Sequence, residues 1–152
     1  MRRPCRRVRF LCVSLCLFSA LMATPSMAAP EPCSLLTTSE VEQVVGPLKG
    51  KPTGDKEGAA AWCNYEFANG KDLMEVWVFP ADAINRGRKV SKNPVVVKGL
   101  GEDAFMDRGM HGINYVNLFV KKGGTTVKLS IQKTADDEEK LKTLARTALN
   151  RF

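Results

Sequence analysis

The spacing of apolar side chains changes period several times along the chain, and each change marks an element. Val41, Val44 and Val45 recur at helical spacing. They follow Thr37 with Glu40 three positions on, a capping box, and Leu36 is placed to staple onto Val41. Gly46-Pro47 stops this helix. Residues 29–34 read as a short Pro-bearing lead, and residues 48–60, poor in apolar side chains, as a mobile loop. From Ala61 to Phe67 the period falls to two, with Cys63, Tyr65 and Phe67 on one face and Trp62, Asn64 and Glu66 on the other. Asn69-Gly70 is a hairpin signal, Asp72 to Phe79 is the return strand, and Pro80 ends it.

Ala81 to Val90 reads as a short helix with Ala83, Ile84 and Val90 inward. Val95 to Val97 is a short strand, Gly99-Leu100-Gly101 a bend, and Asp103 to Asp107 a further strand. Ile113 to Lys121 is apolar on both faces, as expected of a central strand covered on both sides. Gly123-Gly124 makes a two-residue turn into Thr125 to Gln132, where Val127, Leu129 and Ile131 point in and Thr126, Lys128, Ser130 and Gln132 point out. The last helix follows a Thr134 N-cap, with Asp136 to Glu139 as a solvated first turn at the positive end of its dipole. Leu141, Leu144, Ala145, Ala148, Leu149 and Phe152 form its apolar stripe. The order α-β-β-α-β-β-β-β-α predicts the α+β class: an antiparallel sheet with flanking helices and a C-terminal amphipathic helix packed on it.

Charge changes the picture at the N-terminus. The formal charge of +7 would suggest a nucleic-acid or anionic-membrane binder. Arg2, Arg3, Arg6, Arg7 and Arg9 sit in a segment without acids; the rest of the chain has 18 of the 23 basic side chains against all 16 acidic ones. Phe10 to Met22 is apolar and too short for an ordinary membrane span, and Ser26-Met27-Ala28 offers small residues at a cleavage site. Residues 1–28 therefore read as a signal peptide, and 29–152 as one exported domain, periplasmic or extracellular, with no stable membrane span after signal removal. Cys5, Cys12 and Cys16 leave with the signal. Cys33 and Cys63 remain in an oxidising compartment, where a pair is most simply one disulfide.

The inventory of reactive groups is thin. His111 stands alone, and a Ser-His-Asp arrangement would need it to meet Ser130 and Asp103 or Asp107 without any nucleophile-elbow motif. Gly99-Leu100-Gly101 lacks the context of a phosphate loop, and Asp136 to Glu139 lacks calcium-ligand spacing. Nothing calls for a metal or cofactor. The basic stretch from Arg86 and Arg88 to Lys98 has few aromatics interleaved, which argues against nucleic acid. Trp62, Trp77, Tyr65 and Tyr115 are expected mainly as core or cross-strand pairs. The side chains left for contact are Trp62, Glu66, Arg86 and Arg88, together with the 108–112 loop.

A wider pattern joins these pieces: Cys33-Ser34-Leu35-Leu36-Thr37 with Glu40-Val41, then Trp62-Cys63-Asn64-Tyr65, then Val97-Lys98-Gly99-Leu100-Gly101-Glu102-Asp103-Ala104-Phe105. It resembles a family of small exported bacterial domains of unknown function, best known among actinobacterial lipoproteins. That family has a Cys-Leu-Leu-Thr opening, a second Cys in the first strand and a Gly-Leu-Gly-Asp-Ala-like turn. The resemblance implies a Cys33–Cys63 disulfide and an α+β sandwich similar to the PsbP-like fold, and it brings no catalytic residues. The chain departs in lacking a lipobox and in carrying Glu102 within the turn. The expected function is a non-catalytic envelope binding or accessory domain whose partner is an envelope protein or a small ligand. The alternatives are a carrier of a small apolar or amphipathic ligand and, behind it, a small hydrolase.

Overall fold

The computed structural model describes residues 29–109, 115–132 and 137–152. Residues 1–28, read from the sequence as a signal peptide, most of the 108–112 loop with His111, Ile113, Thr134 and Asp136 lie outside the described residues. α1 (Pro32–Leu35) is a single turn where only a lead was expected, with proline at its start, a position that needs no N–H. α2 (Thr38–Val45) begins on the expected capping box: the Thr37 hydroxyl accepts from the Glu40 N–H at 3.3 Å, and Glu40 accepts from the Thr37 N–H at 2.8 Å.

Seven strands follow or intervene: β1 (Thr53–Glu57), β2 (Ala60–Glu66), β3 (Leu73–Pro80), β4 (Val95–Val96), β5 (Asp103–Arg108), β6 (Tyr115–Lys122) and β7 (Thr125–Gln132). α3 (Ala83–Val90) separates β3 from β4, and α4 (Asp137–Leu149) closes the chain. The sheet order is β1-β2-β3-β7-β6-β5-β4, and every pairing is antiparallel. Two meanders thus meet at one seam, where Val76 faces Leu129.

β1 corrects the mobile-loop expectation for residues 48–60. All five of its side chains are exposed, so it leaves no apolar trace in the sequence. Backbone pairing with β2 forms it. Gly54 is required there: a Cβ would come within 2.8 Å of both the Cys33 sulfur and the Trp62 carbonyl. The Asn69-Gly70 turn sits where expected but is longer than a two-residue hairpin. Phe67 donates its N–H to the Asp72 carbonyl, and Asn69 Oδ1 accepts from the N–H groups of Lys71 and Asp72.

The main core lies between one face of the sheet and α1, α2 and α4. Cys63, Tyr65, Met74, Val76, Leu118, Leu129 and Ile131 meet Leu35, Leu36, Val41, Leu141 and Leu144 there, all at or near zero exposure. The Cys33–Cys63 disulfide ties α1 to β2. The Tyr65 hydroxyl donates to the Leu36 carbonyl at 2.7 Å, and burial pushes its pKa up to about 12. Four side chains depart from expectation. Val90 is exposed, because α3 buries only its first turn through Ala83 and Ile84. Thr126 and Ser130, expected outward on β7, are buried, since central strands are flanked on both sides. Asp137, expected in a solvated turn, is 1% exposed, with the Lys140 ammonium 3.9 Å away.

Candidate binding face

Every second residue of the central strands points away from α1, α2 and α4, and the registers line these residues into cross-strand rows. One row runs Trp62, Trp77, Lys128, Phe119, Phe105. The next runs Asn64, Glu75, Ser130, Asn117, Asp107.

α3 covers the β5–β6 end of this face. Ile84, Phe105 and Phe119 form a second, small core, with the two rings stacked at 4.6 Å between centroids. Arg88 lies 5.1 Å over the Phe105 ring and pairs with Asp103 at 2.7 Å. At the other end the aromatics are half-buried. Trp62 stacks on Trp77 at 5.0 Å, as expected of a cross-strand pair, and Trp77 on Phe79 at 5.7 Å. The Lys128 ammonium stands 4.8 Å over the Trp77 ring. Burial pulls the Lys128 pKa down, and the nearby Glu75 carboxylate opposes that shift.

In the polar row Ser130, Asn117 and Asp107 are buried, while Asn64 and Glu75 are half-buried. Ser130 Oγ donates to Asn117 Oδ1 at 2.5 Å. Asp107 is 1% exposed, and among the described residues its Oδ2 has no hydrogen-bond partner, nor have the buried Asn64 Oδ1 and Trp77 Nε1. All three lie on this one face.

The four surface residues expected from the sequence do not form one patch. Trp62 and Glu66 share a face of β2, and Glu66 reaches Lys49 at 3.4 Å. Arg86 is exposed and ion-paired with Asp82. Arg88 sits at the α3 end over Phe105, whose strand position is four strand spacings, about 19 Å, from that of Trp62. Phe79, Lys128, Asn64, Asn117 and Asp107 were not foreseen. Their period-two alternation was visible, but their company depends on the β3–β7 seam. Asp107 and Ser130 lie in one row with Asn117 between them, while Asp103 is engaged with Arg88. Among the described residues no group of three or more His, Cys, Asp or Glu is placed to hold a metal ion, and no described helix is long and apolar enough to cross a membrane. Compared with known proteins, the chain matches no family model, no curated protein and no solved structure.

Proposed function

We propose that the chain is a non-catalytic, exported binding or accessory domain of the cell envelope that meets its partner through the sheet face bearing Trp62, Trp77 and Phe79. The observation carrying this reading is the half-buried, stacked aromatic strip. Large rigid aromatics dominate contact energies when a partner excludes water from them, and these three stand half-buried and stacked side by side. Export rests on the Arg-rich, apolar, small-residue order of residues 1–28. Between the sheet and α1, α2 and α4 the buried side chains of both layers form one continuous cluster, which gives the carrier alternative no specific support.

The test is retention of envelope components by immobilised wild-type protein, Trp62→Ala and Trp77→Ala, with circular dichroism to confirm folding. Loss of retained components in both variants supports the reading; retention equal to wild type in both overturns it. Arg86→Ala and Arg88→Ala show whether the α3 end shares in the contact.

A further inference from the structure

The sheet has two edges, and the chain furnishes them differently. β1 carries Asp55, Lys56 and Glu57 with Gly54, all exposed, and charge on an edge strand discourages pairing with another chain. The other edge, β4, is Val95-Val96, 45% and 66% exposed. With Val90 these are the large apolar side chains exposed among the described residues.

The ladder fixes which backbone groups of this edge are free. Val95 faces Met106 and Val96 faces Phe105, and the Val97 N–H donates to the Ala104 carbonyl at 2.9 Å. Bonded and non-bonded pairs alternate in an antiparallel ladder. Val97 and Val95 therefore turn their backbone groups toward β5, and Val96 turns its N–H and C=O outward.

A groove of about 280 Å³ runs beside this edge, between β4–β5 and α4. Lys98, Arg108, Lys142 and Arg146 line it against Glu138 and Glu139. Arg108 pairs with Glu138 and Lys142 with Glu139. Lys98 and Arg146 are exposed and have no ion-pair partner among the described residues.

We propose that the β4 edge takes up an extended, acidic peptide segment of a partner protein as a further antiparallel or parallel strand. The outward Val96 groups supply main-chain hydrogen bonds and the valines an apolar contact. Lys98 and Arg146 favour carboxylates on the incoming strand. Two copies meeting edge to edge at β4 would gather both sets of these cations at one seam, so the charge favours a different, acidic chain. This surface is separate from the aromatic strip and does not rest on its role.

Fluorescence anisotropy with a labelled Asp-Val-Glu-Val-Asp-Val-Glu peptide tests the proposal on the purified protein. The acidic peptide is expected to bind at least about tenfold more tightly than its all-lysine counterpart, Lys-Val-Lys-Val-Lys-Val-Lys. Val96→Pro should weaken it by at least about tenfold while the thermal midpoint holds, because proline is tolerated where the edge N–H faces solvent. Should Val96→Pro disturb the sheet, the acidic peptide N-methylated at alternate residues makes the same test from the ligand side and should lose binding equally. Lys98→Glu with Arg146→Glu should reverse the preference between the two peptides. Equal binding of both peptides to the wild-type protein, undiminished binding of the N-methylated peptide, or self-association of the protein through β4 in place of peptide binding would each overturn it.

Discussion

Glu40 and Arg151, 111 residues apart in the chain, grip each other through two hydrogen bonds, Nη1 to Oε2 at 2.8 Å and Nη2 to Oε1 at 2.7 Å. The same carboxylate closes the α2 capping box, and Arg151 also donates to the Leu35 carbonyl at 2.7 Å. A signal for starting one helix has thereby become the latch for the C-terminus.

Hydrogen bonds from Arg151, then from Thr37, hold the Glu40 pKa down at about 2. A depressed carboxylate stabilises the fold above its unfolded pKa, and that stability is lost as pH falls through the folded value. Denaturation midpoints followed from pH 5 to pH 2 should therefore fall more steeply for wild type than for Glu40→Gln. At pH 7, Glu40→Ala should cost about 1–2 kcal/mol through loss of the cap and the ion pair. A double-mutant cycle with Arg151→Ala should show coupling between the two sites.

The disulfide joins Cys33 to Cys63 across 30 positions, and Cys63 is fully buried. Oxidised protein without residues 1–28, and so without Cys5, Cys12 and Cys16, should show no reactive thiol until it is both reduced and denatured. Replacing both cysteines with serine should lower stability by about 3–4 kcal/mol in urea titrations.

Tyr65→Phe leaves the ring but strands the buried Leu36 carbonyl, at a cost of about 1–2 kcal/mol. Because burial raises the Tyr65 pKa to about 12, its contribution is complete below the unfolded value near 10 and lost as pH rises through 12. Absorbance at the phenolate band should show one tyrosine that ionises late, and Tyr65→Phe should remove that step.

Gly101 has φ +57, and a Cβ there would lie 2.3 Å from the Lys121 carbonyl oxygen. Gly70 has φ +65 with open space around it. Gly101→Ala should cost more than about 2 kcal/mol by thermal melting, and Gly70→Ala about 1 kcal/mol. Equal costs would show that backbone conformation alone decides both.

Much of the fold was legible because its signals are local. The capping box at Thr37, the alternation that turns Cys63 and Tyr65 inward, and the stripe from Leu141 to Ala148 each declare themselves within one element. β1 was invisible because an exposed edge strand needs backbone partners and no apolar period. Burial of Thr126 and Ser130 depends on β7 lying between β3 and β6, a long-range fact. The candidate face was half readable for the same reason. Trp62 and Trp77 are neighbours through a local hairpin, whereas Lys128 and Asp107 join them only after the distant half of the chain has docked.

The strand order also sets a timetable for the growing chain. β7, which fills the centre of the sheet, is the last strand to be made. Until residue 132 has emerged, the inner edge of β3 from Met74 to Pro80 has no mate, although the Cys33–Cys63 link can already close. The early half is fastened before the late half exists. An unmated β3 is then the place where a chaperone, or a strand from a neighbouring nascent chain, would first take hold.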